Sequence, residues 1–259
     1  MSASPADLRA IAAEAALLAG GLLRERFVAG GERAVRSKSS STDPVSEADL
    51  AAERAIRELL AERRPGDAIL GEEGGETQVG EGLRWIVDPL DGTVNFLFGI
   101  PQWCVSVAVH DDDGGLAGAV FDPMRDELFA GERGGLATLN DVPLAASDCS
   151  ELAATLVATG FAYDPQVRAA QGAVVARALP LVRDVRRMGS AALDLAWTAA
   201  GRYDAFYERG VKTWDIAAGS LLCERAGLVV RPLQAEGDMP AGVAAAPAAL
   251  IDDLLTLVR

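Results

Sequence analysis

The segment Trp85-Ile-Val-Asp88-Pro-Leu-Asp91-Gly-Thr-Val-Asn-Phe96 constrains the fold more than any other stretch of this chain. Trp85 to Val87 reads as a short buried strand that runs into two aspartates three positions apart, with Pro89 fixing the backbone between them. Gly92 and Thr93 then open a short helix, closed by Gly99 and Pro101. A strand that ends in carboxylates and turns into a helix start offers two things at one place. Carboxylate oxygens hold hard divalent cations such as Mg²⁺, and the free amides of a helix N-terminus hold a phosphate. Together they point to metal-assisted phosphate chemistry.

The rest of the chain divides into two halves. Ala6 to Phe27 has helical periodicity, with Leu8, Ile11, Ala15, Leu18 and Leu22 on one face and Gly30-Gly31 as the stop. The polar run Ser37 to Pro44 reads as a linker by composition. Ser46 then serves as the N-cap of a helix through about Arg64. Strands follow at 68–70, 83–88, 103–110, 116–121 and 127–131, a mostly antiparallel meander separated by Gly- and Asp-rich turns. Beyond about 150, strands at 156–159, 182–187, 205–208, 229–230 and 242–246 alternate with helices at 165–178, 190–200, 214–226 and 248–258, which is the pattern of an α/β unit. The reading is therefore an N-terminal α+β domain over 1–145, carrying the acidic motifs, and a C-terminal α/β domain over 146–259 that completes the site.

Bulk properties narrow the function. With 259 residues the chain is long enough for a substantial core in one large or two closely packed domains. The formal net charge of −14 argues against nonspecific binding to nucleic acid or anionic membranes. It also poses a puzzle for a site that takes anionic phosphates, which bound divalent cations would answer. Three scattered cysteines without a CxxC pair suit a reducing cytoplasm. The N-terminus carries acids and is not a signal peptide, and no apolar run reaches the ~18 residues that span a bilayer. His110, the single histidine, excludes two-histidine phosphoryl-transfer schemes and reads as a strand-end residue. Abundant Ala and Gly read as a compositional bias.

Four segments carry acids that core packing does not need: Asp49, Glu72-Glu73, Asp88 with Asp91, and Asp215. Singly, Asp49 could complete a capping box with Ser46, Glu72-Glu73 could be a solvated turn, and Asp215 could favour a helix N-terminus. Asp88 and Asp91 resist such readings, because an apolar strand rarely ends in two close acids without a cation to satisfy them.

At these residues the chain resembles the inositol monophosphatase family, within the lithium-sensitive, magnesium-dependent phosphatases. The motifs are Asp43-Pro-Val-Ser-Glu-Ala-Asp49, Gly71-Glu-Glu73, Trp85 to Phe96, Val185-Arg-Arg-Met-Gly-Ser-Ala-Ala-Leu-Asp194 and Trp214-Asp215 through Glu224-Arg-Ala-Gly227, in the family's order and over nearly the whole chain. The last segment ends in one Gly where the family usually has two, and Ser46 stands where it often has Thr.

The resemblance implies a layered αβαβα sandwich, a homodimer and two to three Mg²⁺ ions. One ion would sit on Glu72, Asp88 and the Leu90 carbonyl. A second would sit on Asp88, Asp91 and Asp215, and a weaker third would reach Glu72. The phosphate would rest on the amides of Gly92 and Thr93. A metal-activated water held by Glu72 and Thr93, the latter oriented by Asp49, would attack. Asp91, Glu208 and the backbone at Ser190 and Ala191 would receive the polyol, although Glu208 also reads as a solvated strand-end acid. Lys38 would lie on a mobile loop over the metals. The implied substrate is myo-inositol monophosphate. The same motifs serve phosphatases of 3′-phosphoadenosine 5′-phosphate, fructose bisphosphate or histidinol phosphate, and a regulatory interaction protein with a vestigial metal site is the remaining alternative.

Overall fold

The computed structural model describes residues 3–30, 35–37, 44–77 and 82–259. Lys38 and Asp43 lie outside the described residues, as does the side chain of Ser46. Helix α1 (Pro5–Ala29) starts at a reciprocal Ser4–Asp7 capping box and stops where Gly30 turns left-handed at φ 64°. A hairpin of β1 (Val35–Ser37) and β2 (Pro44–Ser46) leads into α2 (Glu47–Arg63).

A first sheet then forms from β3 (Ala68–Gly71), β4 (Gly75–Glu76), β5 (Arg84–Asp91), β6 (Cys104–Asp111), β7 (Gly114–Asp122), β8 (Glu127–Glu132), β9 (Thr138–Leu139) and β10 (Val142–Pro143). The short helix α3 (Thr93–Leu97) lies between β5 and β6. The sheet order is β10-β9-β8-β7-β6-β5-β3-β4, and β3 against β5 is its parallel pair.

The second half supplies β11 (Leu156–Thr159), α4 (Pro165–Ala178), β12 (Asp184–Arg186), α5 (Ala191–Ala199), β13 (Ala205–Arg209), α6 (Thr213–Arg225), β14 (Val229–Leu233), β15 (Gly242–Ala246) and α7 (Ile251–Leu257). Its sheet runs β12-β11-β13-β15-β14, parallel on the β12–β11–β13 side and antiparallel on the other.

Both faces of both sheets are buried, and this produces five layers. Trp85, Val87, Val105 and Val107 point toward α1 and α2, where they meet Leu8, Ala12 and Ile56. Their strand neighbours Ile86, Cys104 and Ala108 point the other way, onto Leu193 and Ala196 of α5 and Ala218 and Leu222 of α6. Those two helices also pack on Phe206 and Ala245 of the second sheet. The far face of that sheet, with Val157, Ala205 and Ala244, is closed by Val174 of α4 and Leu254 of α7. The alternation along each strand, period two, sends side chains into two different layers. The architecture is the αβαβα sandwich that the family resemblance implies.

The face of α1 differs from the sequence reading. Its buried residues are Leu8, Ala12, Ala15, Ala16, Ala19, Gly20 and Leu23, whereas Leu18 and Leu22 are 43% and 37% exposed. The helix lies so close to the first sheet that small residues form its contact stripe. A Cβ at Gly20 would collide with the Phe121 ring. The Ala and Gly content therefore has a structural use: it sets the distance between layers. The strand at 83–88 also proves longer, continuing through Pro89 to Asp91.

Candidate active site

The site is built at the C-terminal end of β5. Opposite this strand, Asp88 pairs with Ser106 of β6 and Asp91 with Cys104, so three steps on β5 match two on β6. This is a β-bulge of one extra residue. In a regular strand, side chains three positions apart face opposite sides. The bulge cancels that difference and turns both carboxylates to the same cleft. Proline is tolerated inside a central strand only at such an irregularity, and Pro89 occupies it. The Leu90 amide closes the turn on Asp88 Oδ1 at 3.0 Å. Gly92 follows at φ 96°, with the Gln102 carbonyl 3.0 Å from where a Cβ would sit, so the chain can swing into α3 only with glycine here.

Asp88, Leu90, Asp91, Gly92 and Thr93 share one cleft of about 400 Å³ with Glu72, Ala191, Glu208 and Asp215. Glu72 comes from the turn after β3, which is parallel to β5 and therefore ends beside it. Asp215 lies in the first turn of α6, where its Oδ2 accepts the Lys212 amide at 2.6 Å. Asp91 Oδ2 accepts the Ser190 hydroxyl and the Ala192 amide, each at 2.7 Å, and so ties the first sheet to the start of α5. Ser190 is buried and spends its hydroxyl on that link.

Asp49 is buried in α2. The Thr93 hydroxyl stands 3.0 Å from both Asp49 Oδ1 and the Leu90 carbonyl oxygen. Lys38, expected on a loop over the metals, lies outside the described residues.

Burial dominates the electrostatics. It lifts Asp88 well above the usual carboxylate range, and the charges of Glu72, Asp91 and Asp215 add to the rise. Burial raises Asp91 to about 6 and Asp215 to about 7. Glu208 is pushed up to about 8 by burial and then by Asp91 and Asp215.

Asp88 faces Glu72, Asp91 and Asp215, and the negative charge of all three favours its protonated form. Among the described residues no group of three or more His, Cys, Asp or Glu side chains is gathered at a geometry ready to hold a metal ion. The donor set nevertheless fits one in kind: hard, mutually repelling carboxylate oxygens gathered in one cleft, whose charge a divalent cation can neutralise.

Sequence reasoning did not single out the cations of the cleft. Arg187 and Lys212 both line it, and the Arg187 guanidinium lies 6.0 Å from the Phe161 ring centre. Arg187 falls in the Val185–Asp194 motif without a role assigned to it there, and Lys212 is one basic residue before a helix with nothing in its spacing to mark it. Asp194 closes the Val185–Asp194 motif and carries no site role in the sequence reading, although an acid between Leu193 and Leu195 is a visible signal. It is buried, both its oxygens lack a partner among the described residues, and burial, then Glu208 and Asp91, hold it well above the usual range. His110 lies at the end of β6 and does not line the cleft, and the three cysteines are unpaired.

The model of the inositol monophosphatase family matches residues 4–258. "Inositol-1-monophosphatase SuhB" of Mycobacterium tuberculosis H37Rv is 43% identical, over 98% of this chain and 94% of the relative. "Nus factor SuhB" of Escherichia coli K12 is 40% identical over 85% of this chain and 83% of its own. Among solved structures, the extragenic suppressor protein SuhB of Bartonella henselae superposes with a TM-score of 0.89 at 35% identity, covering 96% of this chain and 97% of that one. The acidic cleft, the layered fold and a match over nearly the whole sequence agree: this chain belongs to the inositol monophosphatase family.

Proposed function

We propose that this protein is a Mg²⁺-dependent phosphomonoesterase that hydrolyses myo-inositol monophosphate to inositol and phosphate. The observation that carries the reading is the bulge in β5, which turns Asp88 and Asp91 into one cleft with Glu72 and Asp215. Glu72, Asp88, Asp91, Asp215 and the Leu90 carbonyl would hold two to three Mg²⁺ ions. When bound, the ions neutralise the phosphate and make a water more acidic.

The protein's own groups do the rest. A hydroxyl has one proton to give. With the Thr93 proton on Asp49 Oδ1, the Leu90 carbonyl is released toward the cleft and a lone pair of Thr93 Oγ1 is free to accept from the attacking water. Glu72 accepts that water's other proton, and as the P–O bond to inositol breaks the leaving alkoxide takes a proton from a solvent water in the cleft. The amides of Gly92 and Thr93, at the start of α3, receive the phosphate oxygens. Asp91 and Glu208 receive the hydroxyls of the polyol, with Ala191 in the adjoining wall. Arg187 and Lys212 give an anion local attraction in a chain of net charge −14. Two domains, 1–145 and 146–259, are supported by the division of the strands between two sheets.

The relative named inositol-1-monophosphatase supports the choice of substrate, and the relative named Nus factor supports a second reading as an interaction protein. Phosphate release from inositol 1-phosphate, 3′-phosphoadenosine 5′-phosphate, fructose 1,6-bisphosphate and histidinol phosphate, with and without Li⁺, separates them. The proposal expects inositol 1-phosphate to be preferred and lithium to inhibit. Another preferred ester keeps the chemistry and changes the substrate. No release from any of the four by folded, Mg²⁺-saturated protein favours the interaction reading.

A further inference from the structure

Helix α2 reaches the cleft twice. Its first turn brings Asp49 to Thr93, and one turn later Glu53 reaches under the turn that carries Glu72. Glu53 is only 3% exposed. Its Oε2 accepts the Glu73 amide at 2.7 Å and its Oε1 accepts the Gly74 amide at 2.8 Å. Arg57, one helical turn on, donates Nε to the same Oε1 at 2.6 Å and Nη2 to the Gly75 carbonyl at 2.6 Å. Three hydrogen bonds thus tie residues 73–75 to one face of α2, and the Arg57–Glu53 bond braces the two side chains that make them.

The fit is close. A Cβ at Gly71 would lie 2.5 Å from Glu53 Oε1, and one at Gly74 would lie 2.6 Å from it. Gly71 and Gly74 bracket Glu72 in a segment, Gly71-Glu-Glu-Gly-Gly75, whose glycines would otherwise leave the backbone free. The two amides that Glu53 holds belong to the two residues after Glu72, so they fix the direction from which the Glu72 side chain leaves the turn.

We propose that Glu53 is a positioning residue that aims Glu72 at the divalent cation and thereby sets the affinity of the site for Mg²⁺. The inference rests on the reading of Glu72 as a cation ligand. It also gives α2 a single mechanical role: one rigid element orients both Thr93, through Asp49, and Glu72, through Glu53.

The test compares Glu53→Gln, Gly74→Ala and Glu72→Gln with the unaltered protein by isothermal titration with Mg²⁺, by thermal melting, and by phosphate release across a Mg²⁺ series. Glu53→Gln keeps the shape but leaves one acceptor oxygen where three donors converge. Gly74→Ala keeps both Glu53 and Arg57 and displaces the carboxylate, so it carries the test if the first variant does not fold. Both variants are expected to raise the Kd for Mg²⁺ by ~10- to 100-fold, the usual effect of losing support behind a metal ligand. The Mg²⁺ midpoint for phosphate release should move by the same factor, with kcat recovered at saturating Mg²⁺. A merely structural role would lower the melting temperature and leave the Kd unchanged, and that result overturns the proposal. If Glu72→Gln loses Mg²⁺ affinity while folded Glu53→Gln and Gly74→Ala do not, the ligand reading stands and this inference falls. If Glu72→Gln binds Mg²⁺ as the unaltered protein does, both fall.

Discussion

Asp88 and Asp91 stand three residues apart on one strand, and period-two alternation alone would send them to opposite faces. The one-residue bulge between them makes them neighbours in the cleft. That the two acids meet at one place is legible from the motif, but the means is not, because a bulge depends on the register against β6. Glu53 was illegible for a similar reason: it is a helix acid whose partners lie some twenty residues away. Asp88→Asn keeps the shape of the site and removes one of the four carboxylates proposed to hold the cations. Activity should fall at least ~100-fold, as when one electrostatic contact to a transition state is removed, with the circular dichroism spectrum unchanged. Near-normal turnover in saturating Mg²⁺ would contradict the metal assignment. Thr93→Val removes the hydroxyl between Asp49 and the Leu90 carbonyl. It should lower kcat strongly and cost about 1–3 kcal/mol of stability, because Asp49 keeps its burial and loses a donor. Unchanged kcat would remove Thr93 from the handling of water.

At the scale of elements, hydrophobic periodicity found the long helices and most strands, because burial on one face or two writes itself into spacing. It misjudged which face of α1 is inside. Leucines dominate a sequence-based face, yet the inner stripe is alanine and glycine, since the sheet approaches too closely for larger side chains. Two adjacent glycines test this. A Cβ at Gly21 meets nothing within 4 Å, whereas one at Gly20 collides with Phe121. Gly21→Ala should therefore stabilise the protein by roughly 0.5–1 kcal/mol through helix propensity. Gly20→Ala gains the same propensity but should be net destabilising, through overpacking of about 1–3 kcal/mol. Denaturant unfolding of the two variants reads the difference, and equal effects would show that α1 does not sit this close to β7. The short pieces β4, β9 and β10 carried no pattern to read, since two residues have no periodicity.

The whole molecule places a cluster of buried acids between two sheets in a strongly acidic chain. Asp91 at about 6, Asp215 at about 7 and Glu208 at about 8 all lie above the values of ~3.9 to 4.3 for unfolded carboxyls. The folded state therefore keeps protons that the unfolded state has already released. Its stability falls as pH rises from about 4 through about 8. Mg²⁺ bound as proposed by Asp91 and Asp215 would take the place of their protons, so it should stabilise more at pH 8 than at pH 6. Calorimetric melts at both values, with and without Mg²⁺, check this: the metal-free protein should melt higher at pH 6, and the Mg²⁺ shift should be larger at pH 8. An equal Mg²⁺ shift at both would show that the cation does not displace protons from the cleft. Two of the acids that store this repulsion, Asp91 and Asp215, are also proposed to bind the cofactor, which would link stability to function through one site.

The most direct measurement is phosphate release from inositol 1-phosphate by the folded protein, first in a chelator and then across a Mg²⁺ titration. The account predicts no release in chelator and a saturable recovery with Mg²⁺. Undiminished release in chelator, or none at saturating Mg²⁺, would contradict it.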